Sequence, residues 1–492
     1  MDEGPSGNCG AVNRGNTAPV SLESTIHPVS RWAFIRNGDY YLLYSDEARS
    51  MIPVDSDGRA LIELMPKGGS LLDWIETAAR ARAIKPEDSL MLIYPLATAM
   101  RRAGLLGFDR APEPLDWVSK LLTTENKGSV TCYLSLTDAC NLSCSYCYNK
   151  KERAVSITCG RKPLLDQEIC DFIDKLVAAR FEYLVFTGGE PMLRKSIFTL
   201  GDYAKDRGLG VNLLTNGTIF TKRNAARAAG MFDSITISLD SSYPNEHDAL
   251  RGRGSWHRVV IGLDELISAG ARSIALRSVV TTHNVDNLHL FPGFAYQRWG
   301  ITHFEPCIYL PNSINQMQDL ALLPDVETYR IATERFALEL RKIPGAYADN
   351  PLKAISYGGR CGMADSIISV SASGDVYPCQ ALHYDVVQMG NIRYNNIEEL
   401  FANGQALGIV GSSGLDTPEC QKCPFLMLCG GGCRANVYQL YGKLTAYNSA
   451  MCPYLKSGAE GQLRRYADYW LGKSCGQAML DGPYMERDQR RC

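Results

Sequence analysis

Neither sign of charge is in surplus in this 492-residue chain: 51 Lys and Arg face 53 Asp and Glu, with a pI near 6.4. The basic field by which proteins hold nucleic acid or an anionic membrane surface is therefore missing, and no nucleic-acid partner is expected. Long apolar runs are missing too. The longest, Leu90 to Tyr94 continuing through Pro95 to Met100, is too short and too interrupted to span a bilayer, which takes about 20 apolar residues. The first thirty residues have no charged start followed by an apolar core. The chain thus reads as cytoplasmic, with no membrane partner.

What the sequence does have is length and cysteine. Single hydrophobic cores stop growing near roughly 250 to 300 residues, so two to four domains are expected. Seventeen cysteines need an explanation where thiols are kept reduced and disulfides are rare. Ten of them fall into two groups with short, ligand-like gaps, while Cys9, Cys132, Cys159, Cys170, Cys307, Cys475 and Cys492 stand alone. Isolated cysteines usually serve as small buried apolar residues.

Residues 1–27, rich in Gly, Asn, Ser and Thr, read as a flexible tail. Strand-like runs follow at Trp32 to Ile35 and Tyr40 to Tyr44, with Asn37-Gly38 between them and Asp57-Gly58 marking a later turn. Apolar stripes at Leu71, Leu72, Trp74, Ile75 and Ala78, and from Leu90 to Leu105, predict two helices. Together these make an α+β domain over 28–112, joined by a linker at 113–127. Strands are then expected at 131–136, 182–187, 210–215, 234–239, 273–281 and 301–307, with helices at 163–180, 194–206, 222–230, 256–269 and 286–299. This alternation predicts an α/β domain with a parallel sheet, six units of a partial barrel at 128–310, and a site at the C-terminal strand ends. A helical connector at 311–357 follows, including a helix near 324–341. From Cys361 to Pro453 the chain loses its period and is rich in Gly, Pro and Cys, which predicts a region held by metal more than by an apolar core. Residues 458–492 read as a tail.

The first cysteine group is Cys140-Asn-Leu-Ser-Cys144-Ser-Tyr-Cys147, directly after a strand. Three thiolates on one loop can hold three irons of a [4Fe–4S] cube and leave the fourth iron open to a small molecule. A three-thiol zinc site is the alternative, although zinc normally takes a fourth protein ligand. The second group runs Cys361, Cys379, Cys420, Cys423, Cys429, Cys433 and Cys452; on spacing alone a zinc ribbon on Cys420 to Cys433 is the lesser alternative.

The Cys140–Cys147 loop, with Tyr146 at its aromatic position, resembles the radical S-adenosylmethionine (radical SAM) superfamily over about 128–310. That resemblance implies a cluster whose open iron chelates S-adenosylmethionine (AdoMet) and cleaves it to a 5′-deoxyadenosyl radical, fed by a flavodoxin- or ferredoxin-type donor. Gly188-Gly189-Glu190-Pro191 is similar to the superfamily's GGEP, whose backbone and glutamate receive the methionyl ammonium. By the same resemblance Asn216, Ser238, Asp240 and Arg251 contact AdoMet, with the Arg251 fork on its carboxylate.

The order of the later seven cysteines, with Gly374, resembles the SPASM domain, here about 358–457. It implies two auxiliary [4Fe–4S] clusters and so three in all. Cys420, Cys423, Cys429 and Cys452 would hold one, and Cys361, Cys379 and Cys433 the other, one ligand short. Residues 28–112, with Gly38 to Leu43, Ala60 to Met65 and Leu105-Leu106, resemble the winged-helix-like RiPP recognition element, which binds leaders of ribosomally made precursor peptides. A sheet edge beside a helix can accept an extended peptide as an added strand; a structural cap or a dimerisation module is the plainer use of such a domain. Together these parts imply a peptide maturase. The alternatives are an anaerobic sulfatase maturase, whose family places Asp directly after the second SPASM cysteine where this chain has Gln380, and a non-catalytic electron carrier or leader-binding scaffold.

Overall fold

The computed structural model describes residues 21–48, 50–109, 130–148, 161–311, 320–346, 361–410 and 414–473. The linker at 113–127, most of both expected tails and part of the connector lie outside them. The described residues form two compact units, one of 21–109 with 423–425 and 464–473, the other of 130–422 with 426–463.

In the first unit, β1 (Ile26–Pro28) pairs with β5 (Leu106–Phe108), and β2 (Ala33–Asn37), β3 (Tyr40–Ser45) and β4 (Ser50–Val54) form an antiparallel sheet with β3 central. Asn37 pairs with Tyr40, so the β2–β3 hairpin closes over Gly38 and Asp39. The helix Leu71–Arg82 starts at a reciprocal cap, in which Ser70 Oγ accepts from Asp73 N–H and Asp73 accepts from Ser70 N–H. It buries Leu71, Trp74, Ile75 and Ala78, as its stripe predicts, while Leu72 stays exposed. Some details differ from the sequence reading. The strands β1, β4 and β5 are additional to it, and β1 reaches into the expected tail. Asp57-Gly58 is no turn but part of the helix Ser56–Glu63, because Asp55 caps that helix by accepting from Gly58 N–H at 2.6 Å.

The second unit is built on a nine-stranded sheet in the order β11-β10-β9-β8-β7-β6-β12-β13-β14. The first six places hold β6 (Thr131–Ser135), β7 (Tyr183–Thr187), β8 (Gly210–Thr215), β9 (Ser234–Ser238), β10 (Ile274–Val280) and β11 (His303–Ile308), all parallel. Helices Asp166–Ala178, Ile197–Asp206, Lys222–Met231, Ser255–Ser268 and Phe291–Trp299 alternate with them, near the predicted bounds. The short helix Pro244–Arg251 is not visible in the pattern; only eight residues long and mostly polar, it shows no apolar stripe.

The region after Cys361, expected to lean on metal, also joins the sheet and the main core. β12 (Ile367–Val370) adds in parallel to β6, and β13 (Asp375–Tyr377) and β14 (Gly390–Asn391) extend the sheet antiparallel. Ile368, Val370, Val376 and Leu400 are at most 1% exposed and belong to the same core as Leu134, Phe186 and Leu213. Strands this short carry too few residues to display a period, which is why the pattern hid them.

Candidate active site and metal centres

Loops at the C-terminal ends of the parallel strands converge on one cavity of about 390 Å³. After β6 the chain turns into the loop bearing Cys140, Cys144 and Cys147, and all three thiols line the cavity with Tyr146. Gly188 and Gly189, after β7, lie against that loop's backbone: Gly189 N–H donates to Thr137 O and Glu190 N–H to Ala139 O, both at 2.8 Å. A Cβ on Gly188, whose φ is +128°, would stand 2.5 Å from Thr137 O, and one on Gly189 would collide with Ala139 O. The two glycines are thus required for seating the cysteine loop, as well as for baring the backbone to the cavity.

Glu190 ties two strand ends together. It is fully buried and absent from the cavity wall. Its carboxylate accepts from Thr215 Oγ1 at 2.7 Å, Asn216 N–H at 2.8 Å and Met192 N–H at 3.1 Å, so it ties the β7 and β8 ends together. Burial pushes its pKa above the ordinary value despite these three donors. Asn216 does line the cavity; its Nδ2 donates to Asn141 Oδ1 at 2.9 Å, linking the β8 end to the cysteine loop.

Asp240 also stands behind the wall, whereas Ser238, Tyr146 and Arg251 are part of it. Asp240 accepts from Tyr146 Oη at 2.6 Å, from Val279 N–H at 3.0 Å, and from Arg251 Nε and Nη2 at 2.6 and 3.2 Å. Burial pushes the Asp240 carboxyl up, but Arg251 outweighs this and holds it below its ordinary range. Arg251 forks onto Asp240, a partner 11 residues away that no linear pattern announces, and keeps its place on the cavity wall. His247 completes the cluster from behind: its Nδ1 accepts from Asp240 N–H at 3.2 Å, and its buried Nε2 has no partner among the described residues. Arg277, Cys307 and Tyr309 also line the cavity and were not singled out as AdoMet contacts; the signal for them is their place on or just after β10 and β11.

The sulfurs are set up as acceptors. Leu142 N–H points at Cys140 Sγ at 3.4 Å and Gly431 N–H at Cys429 Sγ at 3.2 Å; amides of Met363, and of Ala381 and Leu382, serve Cys361 and Cys379. Burial pushes the Cys144 and Cys361 thiols up, and that of Cys379 up to about 12, so iron binding would have to displace protons. Cys361, Cys379 and Cys433 lie within electrostatic reach of one another, and Cys433 shares the cavity with the Cys140–Cys147 loop. Cys420, Cys429 and Cys452 belong to the second unit and Cys423 to the first. Among the described residues no three His, Cys, Asp or Glu side chains converge on the point where one ion would sit. Spaced thiols with amides aimed at them fit clusters, in which each thiolate binds its own iron.

Comparison with known proteins follows the same lines. The Radical SAM superfamily model matches residues 134–299, and that of SPASM, an iron-sulfur cluster-binding domain, matches 361–424. Mycofactocin maturase MftC of Mycolicibacterium smegmatis is 30% identical over 61% of this chain and 76% of its own length. Native anSMEcpe with bound AdoMet aligns over 70% of this chain and 99% of its own, at TM-score 0.56 and 18% identity. SuiB of Streptococcus suis, solved with S-adenosylmethionine, aligns over 87% of this chain and 99% of its own at TM-score 0.51 and 15% identity. It has also been solved with its precursor peptide SuiA. The chain is a member of the radical SAM superfamily that carries a C-terminal SPASM iron-sulfur domain.

Proposed function

We propose that this protein is a peptide maturase that installs an intramolecular cross-link, thioether or carbon–carbon, in a ribosomally made precursor. The observation that carries the reading is that one cavity is lined both by Cys140, Cys144 and Cys147 and by Cys433. A side chain lying there would meet the hydrogen-abstracting loop and an auxiliary electron acceptor together. When bound, the first cluster supplies the electron that cleaves AdoMet to a 5′-deoxyadenosyl radical. The chain's own residues do the rest. Gly188 and Gly189 expose backbone to the methionyl group. Asn216 and Ser238 offer polar groups along the wall, and Tyr146 and Arg251, fixed by Asp240, give one rigid corner. Glu190 orients these loops from behind.

Closing a bond between two substrate atoms removes two hydrogens, so a second electron must leave after the first abstraction. Cys361, Cys379 and Cys433 would hold an auxiliary cluster that would supply the acceptor for this electron, and three protein thiolates would leave room for a substrate thiolate as the fourth. The unit containing β2, β3 and β4 is read as the winged-helix-like leader-binding module. MftC, a maturase, and SuiB, solved with a precursor peptide, support the substrate class.

The test is anaerobic incubation of the reconstituted enzyme with AdoMet, reductant and a precursor peptide. A peptide lighter by two hydrogens and lacking a trappable aldehyde, formed together with 5′-deoxyadenosine, is expected. An aldehyde at Ser or Cys would instead establish the sulfatase-maturase reading, and failure to cleave AdoMet would leave only the non-catalytic scaffold.

A further inference from the structure

Arg434 follows Cys433 directly and is 1% exposed. Among the described residues its guanidinium donates to carbonyls alone: Nη2 to Gly431 O, Nε to Gly432 O at 3.3 Å, and Nη1 to Leu444 O at 3.1 Å. Gly430, Gly431 and Gly432 have φ of 61°, 79° and 81°, a left-handed run that only glycine sustains; the last two turn their carbonyls onto the arginine. Among the described residues the groups that act on its charge are Cys420, Cys433, Cys361 and Cys429, and no carboxylate is among them. An ionised group buried without a counter-charge is strongly unfavourable, and carbonyl dipoles compensate it only in part. The four sulfurs come two from each of the two auxiliary ligand sets.

We propose that Arg434 is the shared counter-ion of the two auxiliary iron–sulfur centres and holds their potentials up. The inference rests on the reading of these cysteines as cluster ligands. A thiolate-ligated four-iron cluster is net negative and gains one more negative charge on reduction. A fixed cation beside it favours the reduced form and raises the midpoint, most strongly where water is excluded. An acceptor poised in this way takes the second electron from the substrate more readily. Arg434 is thus a positioning and tuning residue that need not touch the peptide.

The experiment is a redox titration followed by paramagnetic resonance, on full-length reconstituted protein with Cys140, Cys144 and Cys147 changed to Ala so that only auxiliary signals are read. Arg434→Lys, Arg434→Gln and Arg434→Met are compared with the parent, with iron and sulfide measured on the same samples. Both neutral variants are expected to shift at least one auxiliary midpoint negative. The oxidised-to-reduced ratio at fixed potential should change at least tenfold, which is 59 mV for one electron. Arg434→Lys should stay within that tenfold. Full iron content with unchanged midpoints in the neutral variants overturns the proposal. Equal shifts in Lys and Gln also overturn it, because a loop clamp rather than a charge would then be at work. If the neutral variants lose iron while Lys keeps it, the charge is needed at assembly and the proposal stands; loss in all three overturns it. A parent protein without auxiliary iron defeats the cluster reading itself.

Discussion

Asp240 and Arg251 form a forked ion pair, Nε to Oδ2 at 2.6 Å and Nη2 to Oδ1 at 3.2 Å, with side-chain exposures of 0% and 8%. Arg251 also stands over the Tyr146 ring, 5.4 Å from its centroid. The pair joins the end of β9 to the helix Pro244–Arg251 and, through Tyr146, to the cysteine loop. Asp240→Asn strips the counter-charge from a buried arginine, an operation that costs about 3–5 kcal/mol. Urea unfolding should show this loss, and calorimetry should show weakened AdoMet binding. Tyr146→Phe removes one hydrogen bond to a charged group and should cost only about 1.5–3 kcal/mol. Equal stability of wild type and Asp240→Asn would show that the pair is unimportant.

Gly189→Ala drives a methyl group into the Ala139 carbonyl and should unseat the cysteine loop. Iron analysis after reconstitution is expected to fall by about four irons, one cluster. Gly230→Ala is the control: it lies in the helix Lys222–Met231 with open space at its Cβ, and should leave iron unchanged while raising stability by up to about 1 kcal/mol.

Iron stoichiometry tests the cluster count. About twelve irons are expected from three four-iron clusters, and the triple change of Cys140, Cys144 and Cys147 to Ala should leave about eight and abolish 5′-deoxyadenosine formation. Continued AdoMet cleavage by that variant would remove the loop from the chemistry.

His247 makes the stability pH-dependent. Burial lowers its pKa from 6.5 to about 4, so between these values the unfolded chain binds a proton that the folded chain does not. Its contribution is complete above pH 6.5 and is lost as pH falls toward about 4, up to about 3 kcal/mol. His247→Asn should flatten the fall in urea midpoint across this window relative to wild type; parallel curves would refute the assignment.

Leader binding by strand addition predicts that hydrogen exchange slows along β2 or β4, the edges of the three-stranded sheet, when leader peptide is added. The central strand β3 should be unaffected. Binding without protection at either edge would place the leader elsewhere.

Near neighbours in sequence determined much of this protein. Cys140, Cys144 and Cys147 share one short loop, so their convergence follows from chain connectivity. Six parallel strands and their helices were legible because each is long enough to show a period of its own. The same local logic marked Gly188, Gly189 and Asn216 as residues at the C-terminal ends of the strands. Only the tertiary structure decided what those residues do to one another. It made Glu190 and Asp240 supports of the site, because a buried carboxylate goes where donors are, and theirs come from other strands and a helix. It also set β12 beside β6, with Val370 opposite Leu134, although the whole run of parallel strands lies between the two in the chain. No local pattern announces that pairing, since it depends on a sheet edge that exists only once the other strands have assembled.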